Sequence, residues 1–476
     1  MKRRLLACVL GSVVILPVHA LSLLEAYMAA REYDPEYRAA WQTRQAGLQE
    51  ERIARSQLLP QASASYGYQR NWLDQRIEPP NGAPQTQRNS NYPSYVARVE
   101  VRQPLVDLQS WAGYREGQAR SRHAEIQFDN RHQQLMLRLY EAYSRALLAR
   151  DQLDIALAQR AAYAEQMRAN ERMFERGEGT RTEVIETRSR HDRAEAEVLE
   201  AQNELGNALR QLEAMIGPGH INSIEQLHRL TPEFEPAPLQ PAQLERWIEL
   251  GLSSNTEILA ARMSVRAADA HVDRNRAAHY PSVDLVASYS VNEADSVTTI
   301  NQRNRTHMIG VQVRVPLFSG GGISARTSQA VANYERAQAE LDAVRNAVMV
   351  ELRQQYAVLH SSVVKIKALE SAVKSAELLV EATRKSVQAG TRVNLDVLNA
   401  EQQLFEARRD LAQARYDYLN AYMRLRYYAG VLNVDDLKTV ANYFAPRQPE
   451  TRVVSAPQKP AKNAAPRPAA TKTAAR

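Results

Sequence analysis

The chain is written twice. Ala194, Val198, Ala201, Leu205, Ala208, Leu212 and Met215 advance in alternating steps of four and three, and 213 positions later the same steps recur at Ala407, Leu411, Ala414, Tyr418, Ala421, Leu425 and Tyr428. Each run then reaches a glycine, Gly217 and Gly430. Gly179-Thr180-Arg181 pairs with Gly390-Thr391-Arg392, Pro104-Leu105 with Pro316-Leu317, and Asp34-Pro35-Glu36 with Asn255-Thr256-Glu257. A unit this long is no solenoid repeat, which runs to roughly 20–50 residues. The pattern predicts one object made of two similar halves, 21–218 and 241–437, joined by a linker at 219–240.

The first residues read as a secretory signal covering 1–20. Lys2-Arg3-Arg4 is a basic start, Leu5 to Leu16 an apolar run, and Val18-His19-Ala20 a small-residue cleavage site. Leu5-Leu6-Ala7-Cys8 offers a rival lipid-attachment pattern, but the apolar segment follows Cys8 instead of preceding it. Cleavage after Ala20 leaves no cysteine and therefore no disulfide. The formal charge of +7 belongs to the ends. The leader carries three basic residues, and 447–476 carries seven against the single acid Glu450, which leaves the body near −2. A near-neutral body argues against a nucleic-acid partner. The Pro-, Ala- and Lys-rich segment 438–476 reads as a disordered, solvated tail, with contact to peptidoglycan or anionic lipid as the other reading.

No mature segment is apolar for long enough to cross a bilayer as a helix. Four segments instead alternate in polarity over the length of a membrane strand, Gln61–Trp72 and Tyr92–Gln103 in the first half, Val283–Asn292 and Thr306–Val315 in the second. Arg98, Glu100 and Arg102 fall on one face of their strand, and valines on the other. Tyr66, Tyr68, Trp72, Tyr92, Tyr95 and Tyr289 supply an aromatic girdle. The connectors Glu78 to Gly82 and Asn292 to Arg305 are turn-rich. Four strands cannot close a barrel, which needs at least about eight, and lipid tolerates no open edge. Three chains would bring twelve strands. A soluble sheet with one wet face is the other reading of the alternation.

Everything else reads as helix. From Ser110 to Phe174 there is no proline, and Leu135, Leu139, Ala142, Ala146, Ala149, Leu153 and Ala156 keep heptad spacing. Leu341, Val344, Val348, Leu352, Tyr356, Leu359, Val363 and Ile366 form the counterpart, with a 4-4 step at 348-352-356 that breaks the strict heptad. A helix of about 65 residues is roughly 100 Å long. Each ends at a small turn, Gly177-Glu178-Gly179-Thr180 or Ala389-Gly390-Thr391, where Thr180 and Thr391 are placed to cap a returning helix. Each half therefore reads helix, two strands, long helix, turn, return helix.

Taken together, these features resemble the TolC-type outer-membrane export channels over about 21–437. The motifs that carry the resemblance are Val315-Pro316-Leu317-Phe318-Ser319-Gly320-Gly321-Gly322 and Gln388-Ala389-Gly390-Thr391-Arg392-Val393-Asn394-Leu395-Asp396-Val397-Leu398-Asn399-Ala400. The resemblance implies a mainly α chain with a small β part. It implies a homotrimer whose twelve-stranded barrel in outer-membrane lipid, four strands per chain, continues into an α-helical coiled-coil tunnel across the Gram-negative periplasm. It also implies a periplasmic adaptor and an inner-membrane ABC transporter as partners, or a proton-driven pump in efflux members. Ala20-Leu21-Ser22-Leu23-Leu24-Glu25-Ala26-Tyr27 is more similar to members serving type I secretion of proteases and lipases. Drug efflux is the alternative within the family, and a periplasmic scaffold without a pore is the alternative outside it.

The resemblance also assigns residues. Asp396 corresponds to an acid facing the axis at the tunnel's narrow end, where three copies form a carboxylate ring. Asn399 stands where many relatives carry a second acid. Arg392 matches an arginine that holds the inner hairpin, and Glu183 is the equivalent first-half position and a candidate partner. Gly177, Gly179, Thr180, Arg181, Gly390 and Thr391 form the tips that meet the adaptor. Pro104, Pro316, Gly320, Gly321 and Gly322 form the strand–helix junctions. Each has a plainer reading beside it: Arg392 as an exposed helix-start arginine, Asp396 as an acid suited to a first turn. The ten histidines show no metal-site spacing, with His271 and His279 reading as surface residues, and neither a G-x-S-x-G nor a phosphate loop occurs. The chain reads as no enzyme, and no cofactor is expected.

Overall fold

The computed structural model describes residues 21–77, 86–221, 224–236, 238–294 and 302–445. The leader, the connector 78–85, half of the connector 292–305 (295–301), residues 222, 223 and 237, and the chain from 446 onward lie outside the described residues. The first half holds α1 (Leu23–Tyr33), α2 (Pro35–Ser56), β1 (Gln61–Ile77), β2 (Thr86–Val106), α3 (Leu108–Glu175) and α4 (Arg181–Ile216). After β3 (Arg229–Leu230), the second repeats the order as α5 (Leu244–Ser254), α6 (Thr256–Ala277), β4 (Ser282–Ala294), β5 (Gln302–Arg314), α7 (Gly322–Gln388) and α8 (Asn394–Tyr428). Then come α9 (Val434–Ala441) and β6 (Phe444–Ala445).

The repeated triplets Asp34-Pro35-Glu36 and Asn255-Thr256-Glu257 are helix starts. Asp34 accepts from the Glu36 amide at 2.8 Å, and Asn255 accepts from those of Glu257 and Ile258 at 2.9 and 3.0 Å. Each cap is also tied to a long helix. Asp34 pairs with Arg138 of α3 at 2.7 Å, and Asn255 donates to the Tyr428 carbonyl that ends α8 at 2.9 Å. Each half therefore opens on two helices, where the sequence pattern suggested one.

The sheet runs β1-β2-β4-β5, antiparallel throughout, with β1 and β5 as free edges. Below it α3 packs on α2 and α6, and α6 on α7; farther down α3 packs on α4 and α8, and α8 on α7. The protomer is thus a layer four elements wide along its whole length. Its flanks are β1, α2 and α4 on one side, β5 and α7 on the other. Apolar side chains lie open on both helical flanks: Ile185 and Leu199 on α4, and Val350, Val364 and Leu378 two heptads apart on α7. Among the described residues no helix is long and apolar enough to cross a membrane.

The strands are longer than predicted, chiefly at the ends away from the helices: 17 and 21 residues for β1 and β2, 13 each for β4 and β5. Pairing sorts their side chains onto two faces, since directly paired residues point the same way. Rows on one face read Ala62–Val101–Ala287–Ile309, Ala64–Val99–Tyr289–His307, Tyr66–Ala97–Val291–Arg305 and Tyr68–Tyr95–Glu293–Arg303. The other carries Ser65–Arg98–Ser290–Thr306 and Ser63–Glu100–Ser288–Met308, with Arg102 and Asp284 paired at 2.5 Å near its base. Tyr92 pairs with Asn71 on this polar face, so it does not join the girdle as the sequence pattern suggested. The register slips between Pro104 and Val106 as the strand prepares to leave the sheet. Asp107 then caps α3 through the amides of Gln109 and Ser110. The second junction turns differently, through left-handed Gly320 and Gly321.

The main core lies midway along the helices. Leu135, Leu139, Ala146 and Ala149 of α3, Leu205 and Leu212 of α4, Leu352 and Leu359 of α7, and Ala414 and Leu425 of α8 are all buried there. At the 4-4 step of α7, Tyr356 leaves the seam and donates to the Ala242 carbonyl at 2.7 Å. The linker and the first residues of the expected tail wrap this core. Tyr143 donates to the Leu21 carbonyl, Trp247 to that of Pro241, and β3 pairs with β6. Residues 438–445, expected in the disordered tail, are therefore ordered: Val440 and Phe444 bury in the core beside Leu437. Their apolar spacing was masked by the basic composition that follows them.

Candidate functional site: the hairpin tips

The two helical hairpins end far from the sheet, since α3 spans 68 residues and α7 spans 67, about 100 Å each at 1.5 Å per residue. Both long helices stop the same way. Gly177 and Gly390 adopt φ of +76° and +73°. The following amides, of Glu178 and Thr391, reach back to the carbonyls of Met173 and Ser386 at 2.9 and 3.0 Å. This left-handed stop satisfies carbonyls the helix leaves open.

The matching stop pairs Gly177 with Gly390, not Gly179 with Gly390. The two halves run in one register of 213 through the tips, and the shared Gly-Thr-Arg triplet is displaced from it by two residues. Thr391 consequently does not cap the return helix. Its hydroxyl donates to the Ser386 carbonyl at 2.9 Å, finishing α7. The residue at the cap of α8 is Val393, which has no side-chain acceptor. Arg392 stands opposite Gly179, whose hydrogen faces Met173 and Phe174 so closely that a Cβ would meet both at 3.2 Å.

Glu183 and Asp396 hold the same position, third in their helices. Thr180 accepts from the Glu183 amide at 3.3 Å, and the Glu183 carboxylate accepts from the Thr180 amide at 2.8 Å and its hydroxyl at 2.9 Å. That closed capping box occupies Glu183. Asp396 has no threonine to answer it. Among the described residues its carboxylate makes no side-chain hydrogen bond or ion pair, and neither does the exposed Arg392 or Arg181. Arg392 and Glu183 are thus not paired within one chain.

What holds the second tip is the first hairpin. Asn394, the first residue of α8 and only 4% exposed, inserts its amide between α3 and α4. Its oxygen accepts from Gln166 at 2.5 Å, and its nitrogen approaches Thr187 at 3.5 Å. Thr187 in turn accepts from Asn170 at 2.7 Å, and Asn170 accepts from Gln166 at 3.3 Å. Two turns along, Arg190 of α4 donates to Asn399 at 3.1 Å and to Gln402. Asn399 therefore serves the contact between hairpins. The apolar packing beside these contacts is small, Tyr163, Ala194 and Leu398.

Sequence reading passed over this clasp, although the heptads contained part of it. The seam through Ala149 and Ala156 continues to Tyr163 and Asn170, and the seam through Ala201 and Ala194 continues back to Thr187. Polar residues at seam positions are the devices by which coiled coils fix register. Gln166 and Asn394 gave no such signal. Glu401 was also missed: it is 2% exposed, and Arg384 donates to one of its oxygens at 2.5 Å. Burial pushes its carboxyl above the ordinary glutamate value, and Arg384 offsets part of that rise. The junction residues Pro104, Pro316, Gly320, Gly321 and Gly322 lie at the opposite end of the long helices and join no tip contact. His279 is exposed, whereas His271 lies 3.3 Å from the buried Glu116 carboxylate.

The sequence matches the family described as outer membrane efflux protein over residues 26–218 and 247–431. It is 41% identical to the alkaline protease secretion protein AprF of Pseudomonas aeruginosa over 445 residues, 93% of this chain and 92% of that one. To the proteases secretion protein PrtF of Dickeya chrysanthemi it is 40% identical, with 89% and 91% covered. The crystal structure of the Campylobacter jejuni CmeC outer membrane channel shares the fold, with a TM-score of 0.74 at 16% identity over 89% of this chain and 90% of that one.

Proposed function

Because the chain belongs to the outer membrane efflux protein family, we propose that three copies form an outer-membrane channel through which a type I machine exports a protease. The observation that carries this reading is the sheet. It has one apolar and one polar face, two unpaired edges, and long helices continuing directly from its base. An apolar outer face needs lipid, and lipid requires that both edges be paired. Pairing β5 of one copy with β1 of the next satisfies both edges at once, and the open stripes of α7 and α4 meet along the same flanks. Twelve strands then enclose the polar face as a lumen.

The helices carry that lumen inward across the periplasm to the tips. There Asp396, without a side-chain partner among the described residues, contributes to a ring of three carboxylates that attracts cations and repels anions. Arg392 and Val393 form the uncapped turn before it, and the tips 177–182 and 389–393 are the surfaces offered to a periplasmic adaptor. Polar contacts of the kind that hold the second tip are each worth about 1–2 kcal/mol. Adaptor contact of a few kcal/mol therefore suffices to shift the tip from closed toward open. The energy for transport comes from an inner-membrane transporter; this chain supplies a passive path.

The test is transport by the intact protein in a Pseudomonas aeruginosa strain deleted for the AprF gene. Alkaline protease in the medium supports the reading. Raised resistance to small toxic compounds without protease export moves the chain to the efflux reading, which the family's description favours. Failure of both, with the protein correctly inserted, would leave the scaffold without a pore.

A further inference from the structure

Four arginines lie on the sheet face that also carries Ile309, Val311 and Val313. They are Arg70 and Arg76 on β1, and Arg303 and Arg305 on β5. Their placement on this face follows from strand alternation and the pairing register alone. They cluster toward the hairpin ends, the ends farthest from the helices. A charge in the middle of a lipid-facing surface is costly, and near the rim it is not. The positions fit the rim. Arg305 lies eight residues beyond Val313, and Arg70 eight beyond Ala62. Eight residues at about 3.3 Å each give roughly 26 Å along the strand. At a tilt near 40° that is about 20 Å of height, close to the ~25 Å apolar band of an outer-membrane barrel.

The acids near them do not cancel them. Glu293 accepts from Tyr95 and pairs with Arg303 at 3.3 Å, so that one arginine is spoken for. Asp74 lies between Arg70 and Arg76 on the same face. Arg70 donates to Asn91 at 3.0 Å, a neutral acceptor that leaves its charge uncompensated. Arg305 is exposed and has no ion-pair partner among the described residues. Among the described residues, four positive and two negative charges lie on this rim of each copy. All the cations are guanidinium groups, whose planar fork matches a phosphate group with two parallel hydrogen bonds. Tyr66, Tyr68 and Trp72, all strongly exposed, stand beside Arg70 and supply apolar area for acyl chains.

We propose that this rim binds the phosphate-bearing headgroups of glycolipid in the outer leaflet of the outer membrane. Arg70 and Arg305 are the main contacts. The proposal rests on the barrel reading above, which decides that the apolar face meets lipid and that the hairpin ends point outward. Held this way, each copy fixes lipid around the barrel where its strands are longest and least covered.

The test is native mass spectrometry of the full-length protein released from detergent with lipid A carrying both phosphates. Lipid A stripped of phosphate is the second arm. Wild type is expected to retain the phosphorylated lipid and little of the stripped one. The double variant R70Q/R305Q is expected to lose retention about tenfold. R70K/R305K should keep part of it, and Arg98→Gln, on the polar face, should change nothing. Equal retention of the two lipids by wild type, or undiminished retention by R70Q/R305Q, would overturn the inference. A protein that shows no trimer in the same spectra would instead count against the barrel reading.

Discussion

At the first tip Thr180 and Glu183 satisfy each other, and nothing outside that hairpin is needed to start α4. At the second tip the same two positions hold Val393 and Asp396, and the start of α8 is held by the neighbouring hairpin instead. The backbones barely differ: Thr180 sits at φ −101°, ψ 151° and Val393 at φ −97°, ψ 158°. One side-chain oxygen therefore separates a tip that is complete by itself from one that depends on its surroundings. The dependent tip is also the one whose third-position carboxylate is free. A gate needs such a part, since an element that moves must draw its stability from contacts that can be exchanged.

The largest break in this comparison should come from Asn394→Leu. Removing the amide takes the short acceptor from Gln166 and the longer contact from Thr187 and puts an apolar group against the remaining Gln166–Asn170–Thr187 cluster, at a cost of about 2 kcal/mol. Amide exchange at 389–398 should quicken by more than tenfold, while 177–186 stays protected. Uniform loosening of both tips would contradict the asymmetry. Thr180→Val should turn the first tip into a copy of the second, with a loss of about 1 kcal/mol read as faster exchange at the start of α4.

The reverse exchange, Val393→Thr, sharpens the comparison from the other side. A threonine already in cap geometry should bond the Asp396 amide and draw its carboxylate into a box, stabilising α8 by up to about 1 kcal/mol. Single channels of this variant should show weaker cation preference than wild type. The smallest effect concerns Glu401. Its carboxyl holds its proton more tightly folded than unfolded, so its contribution is present in acid and fades as pH rises through the folded value. The second hairpin should therefore loosen slightly as pH rises above the ordinary glutamate range. Glu401→Gln should flatten that dependence, and an unchanged slope would remove Glu401 from the account.

Much of this architecture is legible in the amino-acid pattern. Heptad seams place the four long helices within a few residues, and alternation finds all four strands. Their outer ends are underestimated because residues such as Asp74 and Asn91 carry no apolar signal beyond a lipid-facing band. The tip register is misread because Gly-Thr-Arg occurs in both halves two residues out of step. The structural match instead follows the left-handed Gly177 and Gly390. Asn170 and Thr187 stand out as polar breaks in apolar seams. Asn394 does not, because its partners lie on the other hairpin and no local spacing points to them.

The most direct test is the reversal potential of single channels in a planar bilayer under a salt gradient, for wild type, Asp396→Ala and Glu183→Ala. Cation preference is expected in wild type, with its loss in Asp396→Ala and its retention in Glu183→Ala, because the Glu183 carboxylate is held in its capping box while Asp396 makes no side-chain hydrogen bond or ion pair among the described residues. Equal loss in both variants, or a wild-type channel indifferent to the sign of charge, would contradict that expectation.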